Sequence, residues 1–390
     1  MEKSNELKRT QTEAEFVSSL DADDALPAVP GQKKKKVRSY LLSGLFLIAL
    51  MALTFYIISR DTSPEEIVSA LSRTNSRWVV GGFAMMLGYF LFRAFNFGVA
   101  ARCIKTKMTL GETLQYACVG FFYSGITPSS TGGQPMEYYH MRRDRLSAGK
   151  ATLVLFIVNI TYQFVLVALG IVMFCCKVGY ILSIHGSLVA LFFISLSFNF
   201  AMLLLLAGVL YSETALKKAL TAIVKWLAKI HIIKNVDGAN AKVEGYIAEF
   251  RAGAQLIKYN KKRFVYILLG TIGQTLCSLA VPCFVYKAFG LSGWSFFDML
   301  AVNTIVFVTV SLFPLPGSVG AAESGFVLLL GNAFGGFIVP AMVLSRFISF
   351  YTMMAVCGCV AAFAQLRRPY NHAAHTVGLP SETDPSSALQ

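Results

Sequence analysis

No Asp, Glu, Lys or Arg occurs in 41–59, 78–92, 151–176, 178–212, 264–286, 299–322, 324–345 or 347–366. The longer of these runs can cross a hydrocarbon layer, which takes about 20 apolar residues. Inside such a layer every backbone N–H and C=O must find its partner within the chain, so the segments must be helices or a closed barrel. A barrel is excluded because the runs are continuous rather than alternating. Composition agrees. Hydrophobic residues make up 55% and charged residues 14%, against about 45–50% and about 25% in ordinary globular chains. A soluble enzyme, a nucleic-acid-binding domain and a disulfide-stapled secreted module are excluded. The expected fold is an all-α polytopic membrane protein.

The formal charge of +14 does not point to nucleic acid, because of where the charge sits. Residues 213–263 hold eleven Lys or Arg and four acids, and most of the remainder flanks the apolar runs. This is the positive-inside pattern, with added attraction to anionic headgroups. The eight cysteines form no CxxC pair and no Cys/His cluster with zinc spacing, and are read as small buried hydrophobes. No metal and no cofactor are expected. The absence of a GxxxxGK[ST] motif leaves passive or ion-driven movement as the expectation for any transport.

Orientation follows from the charges. Residues 1–39 read as a disordered cytoplasmic tail ending in the collar Lys33, Lys34, Lys35, Lys36 and Arg38. The run 40–59 is a retained signal anchor. Full spans follow at 78–100, 151–176, 188–211, 264–289 and about 338–366, and 367–390 form a second disordered cytoplasmic tail. Two regions do not fit a simple crossing. Residues 111–149 are bracketed by basic residues on both sides and interrupted at Thr127-Pro128-Ser129-Ser130-Thr131-Gly132-Gly133, which predicts a re-entrant hairpin from the cytoplasmic face. Residues 296–335 hold two apolar limbs joined at Pro314-Leu315-Pro316-Gly317, which predicts a hairpin from the opposite face. Each limb is nearly long enough to span. The loop 213–262 carries two apolar stripes at helical spacing, and reads equally as an amphipathic hairpin on the cytoplasmic membrane surface or as a packed cap.

A shift of 186 residues places Glu112 on Asp298, Pro128 on Pro314 and Glu137 on Glu323. The expected organisation is therefore an inverted repeat: 40–176, then 188–366 interrupted by 213–262, giving six spans and two oppositely oriented hairpins. In such transporters the binding site lies where the discontinuous helices meet. Helix N-termini at the two breaks suit phosphate. Gly132, Gly133, Gly317 and Gly320 allow close backbone approach, and Ser129, Ser130, Thr131 and Ser318 add hydroxyl donors. Glu137 and Glu323 lie about three residues into the following helices, where each either caps its own helix or acts as a protonatable, coupling group or as a contact for a cationic headgroup. Arg346 stands deep in the last span, with Glu323 or a lipid phosphate as its partner. Arg93 can snorkel. Asn159, Tyr162 and Gln163 can bond between helices.

The segments Thr127–Pro135 and Pro314–Glu323, followed by Arg346, resemble the two signature loops and the intramembrane arginine of the lysylphosphatidylglycerol synthase transmembrane-region family, the flippase-like half of the bacterial multiple peptide resistance factor. The resemblance spans roughly 40–366 and departs at Asn159, Tyr162 and Gln163, where charged residues are expected in many members. It implies a bacterial plasma-membrane protein with cytoplasmic termini. It also implies movement of anionic or aminoacylated phosphatidylglycerol between leaflets, resistance to antimicrobial peptides, and a separate aminoacyl-lipid synthase as partner. The alternatives are a phosphatidylglycerol lysyltransferase or its membrane subunit, and a carrier of polyprenyl-phosphate or glycolipid. The tail after the last span and the loop 213–263 are too short for an acyltransferase domain.

Overall fold

A computed structural model describes residues 64–182, 186–211, 261–313 and 315–366. The anchor at 40–59, the tails 1–39 and 367–390, and nearly all of the loop 213–262 lie outside the described residues. Within them every regular element is helical.

The chain runs through α1 Pro64–Ser72, α2 Ser76–Cys103, α3 Leu110–Ile126, α4 Gly133–Arg143, α5 Ala148–Cys176, α6 Val178–Leu182 and α7 Gly186–Tyr211. It continues with α8 Lys261–Ala288, α9 Phe296–Val310, α10 Ala321–Phe334, α11 Ile338–Arg346 and α12 Thr352–Leu366. Single 3₁₀ turns occupy Pro128–Ser130, Pro316–Ser318 and Gly335–Phe337, and a π turn, Phe347–Tyr351, joins α11 to α12. Five stretches are long and apolar enough to cross a membrane: Ser76–Cys103, Ala148–Cys176, Leu188–Gly208, Lys262–Ala288 and Pro316–Leu366. The protein is thus a multi-pass helical membrane protein. The helix α1 falls in what the sequence presents as a plain loop. Pro64 suits a helix start, Glu65 and Glu66 favour its N-terminal end, and Ile67 is buried.

The broadest contact is between α2 and α8. Gly81 meets Phe284, Gly88 meets Cys277 and Phe92 meets Gly273, so the helices run antiparallel. A Cβ on Gly88 would lie 3.0 Å from Cys277 Sγ, and one on Gly273 2.8 Å from Phe92 Cζ. Small residues let these backbones approach where no hydrophobic force drives helices together in lipid. Polar side chains tie α5, α7 and α9. Gln163 Nε2 donates to Asn199 Oδ1 (2.9 Å), Asn199 Nδ2 donates to Ser311 Oγ (2.8 Å), and Ser195 Oγ donates to the Thr309 carbonyl (2.9 Å). Gln163 therefore does bond between helices, whereas Asn159 turns back to Leu155 O of its own helix (2.7 Å).

The outer face of α7 exposes Phe193, Ile194, Phe198, Leu204 and Leu205, a surface suited to lipid. For the same reason the expectation of buried cysteines fails in part. Cys103, Cys283 and Cys357 are buried, but Cys175, Cys176 and Cys359 are exposed on apolar helices, where a thiol meets lipid as readily as core.

Candidate functional site

The two helix–break–helix segments open alike. The Thr109 hydroxyl accepts from Glu112 N–H (3.3 Å) while Glu112 Oε2 accepts from Thr109 N–H (2.7 Å). Ser295 and Asp298 make the same reciprocal pair at 3.1 and 3.3 Å. These capping boxes fix the starts of α3 and α9. Each is followed by a 3₁₀ turn begun by proline, with one residue between Ile126 and the turn in the first segment and five between Val310 and the turn in the second. In Pro128-Ser129-Ser130 the last two residues have φ of 52° and 55°; in Pro316-Gly317-Ser318 they have 58° and 52°. The structure thus matches Pro128 with Pro316, not with Pro314 as the sequence shift proposes. Five residues after each of these prolines the second helix begins, α4 at Gly133 and α10 at Ala321. The two turns touch each other, and the Pro316–Ser318 turn also packs on α3.

Around the first break, Ser129, Ser130 and Thr131 are exposed. Thr131 Oγ1 donates to Pro128 O (2.9 Å), and Gly132 N–H donates to Thr127 Oγ1 (2.8 Å). Gly133 is buried: a Cβ there would lie 2.0 Å from Ser124 Oγ and 2.7 Å from Gly120 O. It serves the close packing of α4 on α3. Around the second break, Gly317 lies under the Phe350 ring, where a Cβ would lie 2.3 Å from Phe350 Cζ, and its positive φ independently favours glycine. Ser318 is half-buried, and Gly320 N–H donates to Glu323 Oε2 (2.7 Å).

Glu323 and Arg346 meet. Arg346 Nε donates to Glu323 Oε1 (2.7 Å), Arg346 Nη2 to Gly317 O (3.2 Å), and the guanidinium lies 4.6 Å from the Phe350 ring centroid. The π turn after Arg346 carries Phe350 into that position. Of the two roles open to Glu323 and the partner open to Arg346, the structure contains the cap and the ion pair together.

Glu137 differs. The helix α4 starts earlier than its sequence suggests, so Glu137 is its fifth residue rather than its third and reaches no N-terminal amide. It turns instead to α2, where Arg93 Nη2 donates to Glu137 Oε1 at 2.5 Å. Gly120 makes the room: a Cβ on it would lie 1.8 Å from that oxygen. Neither Arg93 nor Gly120 stands out in the sequence as a site residue. The only signal available was a lone arginine in a span whose first half holds no other charge. Beside this pair Asn96 Nδ2 donates to Thr271 Oγ1 and Gln274 Oε1, both at 3.2 Å. Aromatic contacts link the two ion pairs: Phe350 to Phe121 (centroids 6.5 Å apart), and Phe121 to Tyr89 (6.1 Å) on the turn of α2 that precedes Arg93.

Comparison with known proteins places these features in context. The UPF0104 membrane protein of Archaeoglobus fulgidus is 23% identical over 300 residues, covering 76% of this chain and 88% of that protein. Residues 40–357 match the family described as Lysylphosphatidylglycerol synthase TM region, a match that takes in both breaks, both glutamates and both arginines. The chain belongs to the lysylphosphatidylglycerol synthase transmembrane-region family.

Proposed function

We infer that this protein is a lipid transporter that moves an anionic phospholipid, phosphatidylglycerol or its aminoacyl derivative, between the leaflets of the bacterial plasma membrane. The observation that carries this reading is the contact between the two proline-started breaks, each followed by a helix N-terminus and each next to an arginine–glutamate pair. Irregular backbone at membrane depth is stable only inside protein or beside a water-filled cavity. The limbs favour re-entrance. At 1.5 Å per residue, α4 is about 16 Å long and α10 about 21 Å, short of a hydrocarbon core of about 30 Å. The antiparallel packing of α2 and α8, which correspond under the sequence shift, supports opposite orientations for the two halves.

In this reading the phosphate lies against Arg346, with Ser129, Ser130, Thr131 and Ser318 as hydroxyl donors and the helix ends at Gly132–Gly133 and Gly317–Gly320 around them. Both termini are cytoplasmic, and a separate synthase supplies the aminoacylated lipid. Glu323 holds the Arg346 fork when no phosphate is present. The test is translocation of fluorescent phosphatidylglycerol in proteoliposomes. Arg346→Gln should insert, melt at a lower temperature because Glu323 loses its cation, and lose translocation. Arg346→Lys should recover little, because an ammonium cannot reproduce the planar fork on phosphate. Full translocation by a stable Glu323→Gln/Arg346→Gln double variant would refute the assignment.

A further inference from the structure

The sequence treats Glu137 and Glu323 alike, but the structure uses them differently. Both oxygens of Glu323 are engaged, one by Arg346 and one by Gly320 N–H. Glu137 is engaged through Oε1 alone. Its Oε2 is buried with no hydrogen-bond partner among the described residues, and so is Arg93 Nε. A buried oxygen with a full share of negative charge and no donor is costly, and a proton removes that cost. The titratable and charged groups around it come from several elements. Arg93 and Tyr89 lie on α2, Tyr162 of α5 faces Arg93, and Cys357 of α12 faces Tyr89 with Cys118 of α3 beside it. His140 follows on α4 itself. Among these groups Arg93 is the cation that Glu137 touches.

We propose that Glu137 is the proton-exchanging carboxylate of a switchable anion site, in which proton uptake by Glu137 releases Arg93 to a lipid phosphate and proton loss returns Arg93 to Glu137. The inference rests on the anionic-lipid reading above and names its coupling ion. The step is a proton transfer. Hydronium gives its proton to Oε2, leaving water and a neutral acid, and no bond between heavy atoms changes. The pair then carries one positive charge, which a phosphate monoanion neutralises. Exposure favours this exchange: the Arg93 side chain keeps 15% of its surface open while Glu137 keeps none. An anion can therefore approach the arginine without displacing the carboxyl group from its pocket beside Gly120. Glu323 cannot act in the same way without giving up the cap of α10.

Two measurements test this. The first is equilibrium binding of a fluorescent short-chain phosphatidylglycerol to the purified protein, with short-chain phosphatidylcholine as the neutral control. One proton taken up per anion raises affinity by about tenfold per pH unit above the carboxyl titration. Wild type should show this rise as pH falls, and Glu137→Gln should bind with no pH dependence. A flat wild type, or a variant that keeps the dependence, overturns the proposal. The second is infrared difference spectroscopy. Part of the protonated-carboxyl absorption that grows in wild type as pH falls should be missing in Glu137→Gln and shifted in Glu137→Asp. Identical acid-minus-neutral difference spectra for wild type and Glu137→Gln overturn the proposal whether or not lipid binds. Failure of wild type to bind phosphatidylglycerol at any pH, with that spectral difference present, overturns the lipid reading alone.

Discussion

Arg346 touches a carboxylate, a backbone carbonyl and an aromatic face at once, so changing it or its partner has separable effects. Removing Glu323 with Ala strands a largely, not fully, buried guanidinium and uncaps α10 together. We expect a loss of about 3–5 kcal/mol, the usual result of breaking one side of a buried pair, read as a fall in thermal stability in detergent. The double variant Glu323→Ala/Arg346→Gln should regain part of that loss, because the uncompensated charge is gone while the cap is still missing. This pair was legible in the sequence, since the two residues are the only charges between Asp298 and Arg367. The Arg93–Glu137 pair was not. Arg93 sits near one end of its span, where snorkelling explains it well enough. Its partner is 44 residues away on a short helix whose start the proline at 135 displaced by two residues in the sequence reading.

Among the elements, α3 and α4 pack closely as a hairpin, because Gly120 and Gly133 remove the side chains that would hold them apart. Gly120→Ala should push Glu137 out of its pocket. The expected result is a protein that inserts but melts at a lower temperature and has lost the Arg93 contact; unchanged melting would show that the hairpin yields without cost. At the other end of the bundle, Lys177 after α5 pairs with Asp298 in the first turn of α9. The Lys177 ammonium holds the Asp298 carboxyl below its ordinary value, helped by Ser295. A carboxyl depressed in the folded state contributes stability that is present above its unfolded value of about 3.9 and is lost as pH falls through the folded value. Acid titration of thermal stability should show this loss in wild type, and Lys177→Gln should reduce it. The capping boxes that begin α3 and α9 could be read from the sequence as Thr109-x-x-Glu112 and Ser295-x-x-Asp298. The π turn could not, because nothing in Phe347–Tyr351 distinguishes five residues of π helix from five of α helix until Arg346 and Phe350 are seen together.

For the whole molecule, the run of uncharged segments determined the fold class, and the helices at 76–103, 148–176, 188–208 and 262–288 lie where hydropathy places them. What hydropathy could not give is the meeting of the two breaks, since that depends on which helices pack. The proposed opposite orientations predict that Ser129→Cys is labelled by a membrane-impermeant thiol reagent from the cytoplasmic side, and Ser318→Cys from outside. Labelling of both from one face would remove the inverted arrangement. The variants should be made in a background lacking the exposed Cys175, Cys176 and Cys359.

The break sits two residues earlier along its segment in the first half than in the second, while the capping boxes and glutamates keep a common spacing. At 3.6 residues per turn, two residues rotate a side chain by about 200° relative to the helix start. A duplicated carboxylate can therefore be re-aimed without any substitution of its own. Removing two residues between Gly133 and Glu137 would bring Glu137 to the third position of its helix and convert it from a lever into a latch. Moving the second break by the same amount would do the reverse. In a repeated fold of this kind, a change in length beside the turn can assign different work to two copies of the same amino acid.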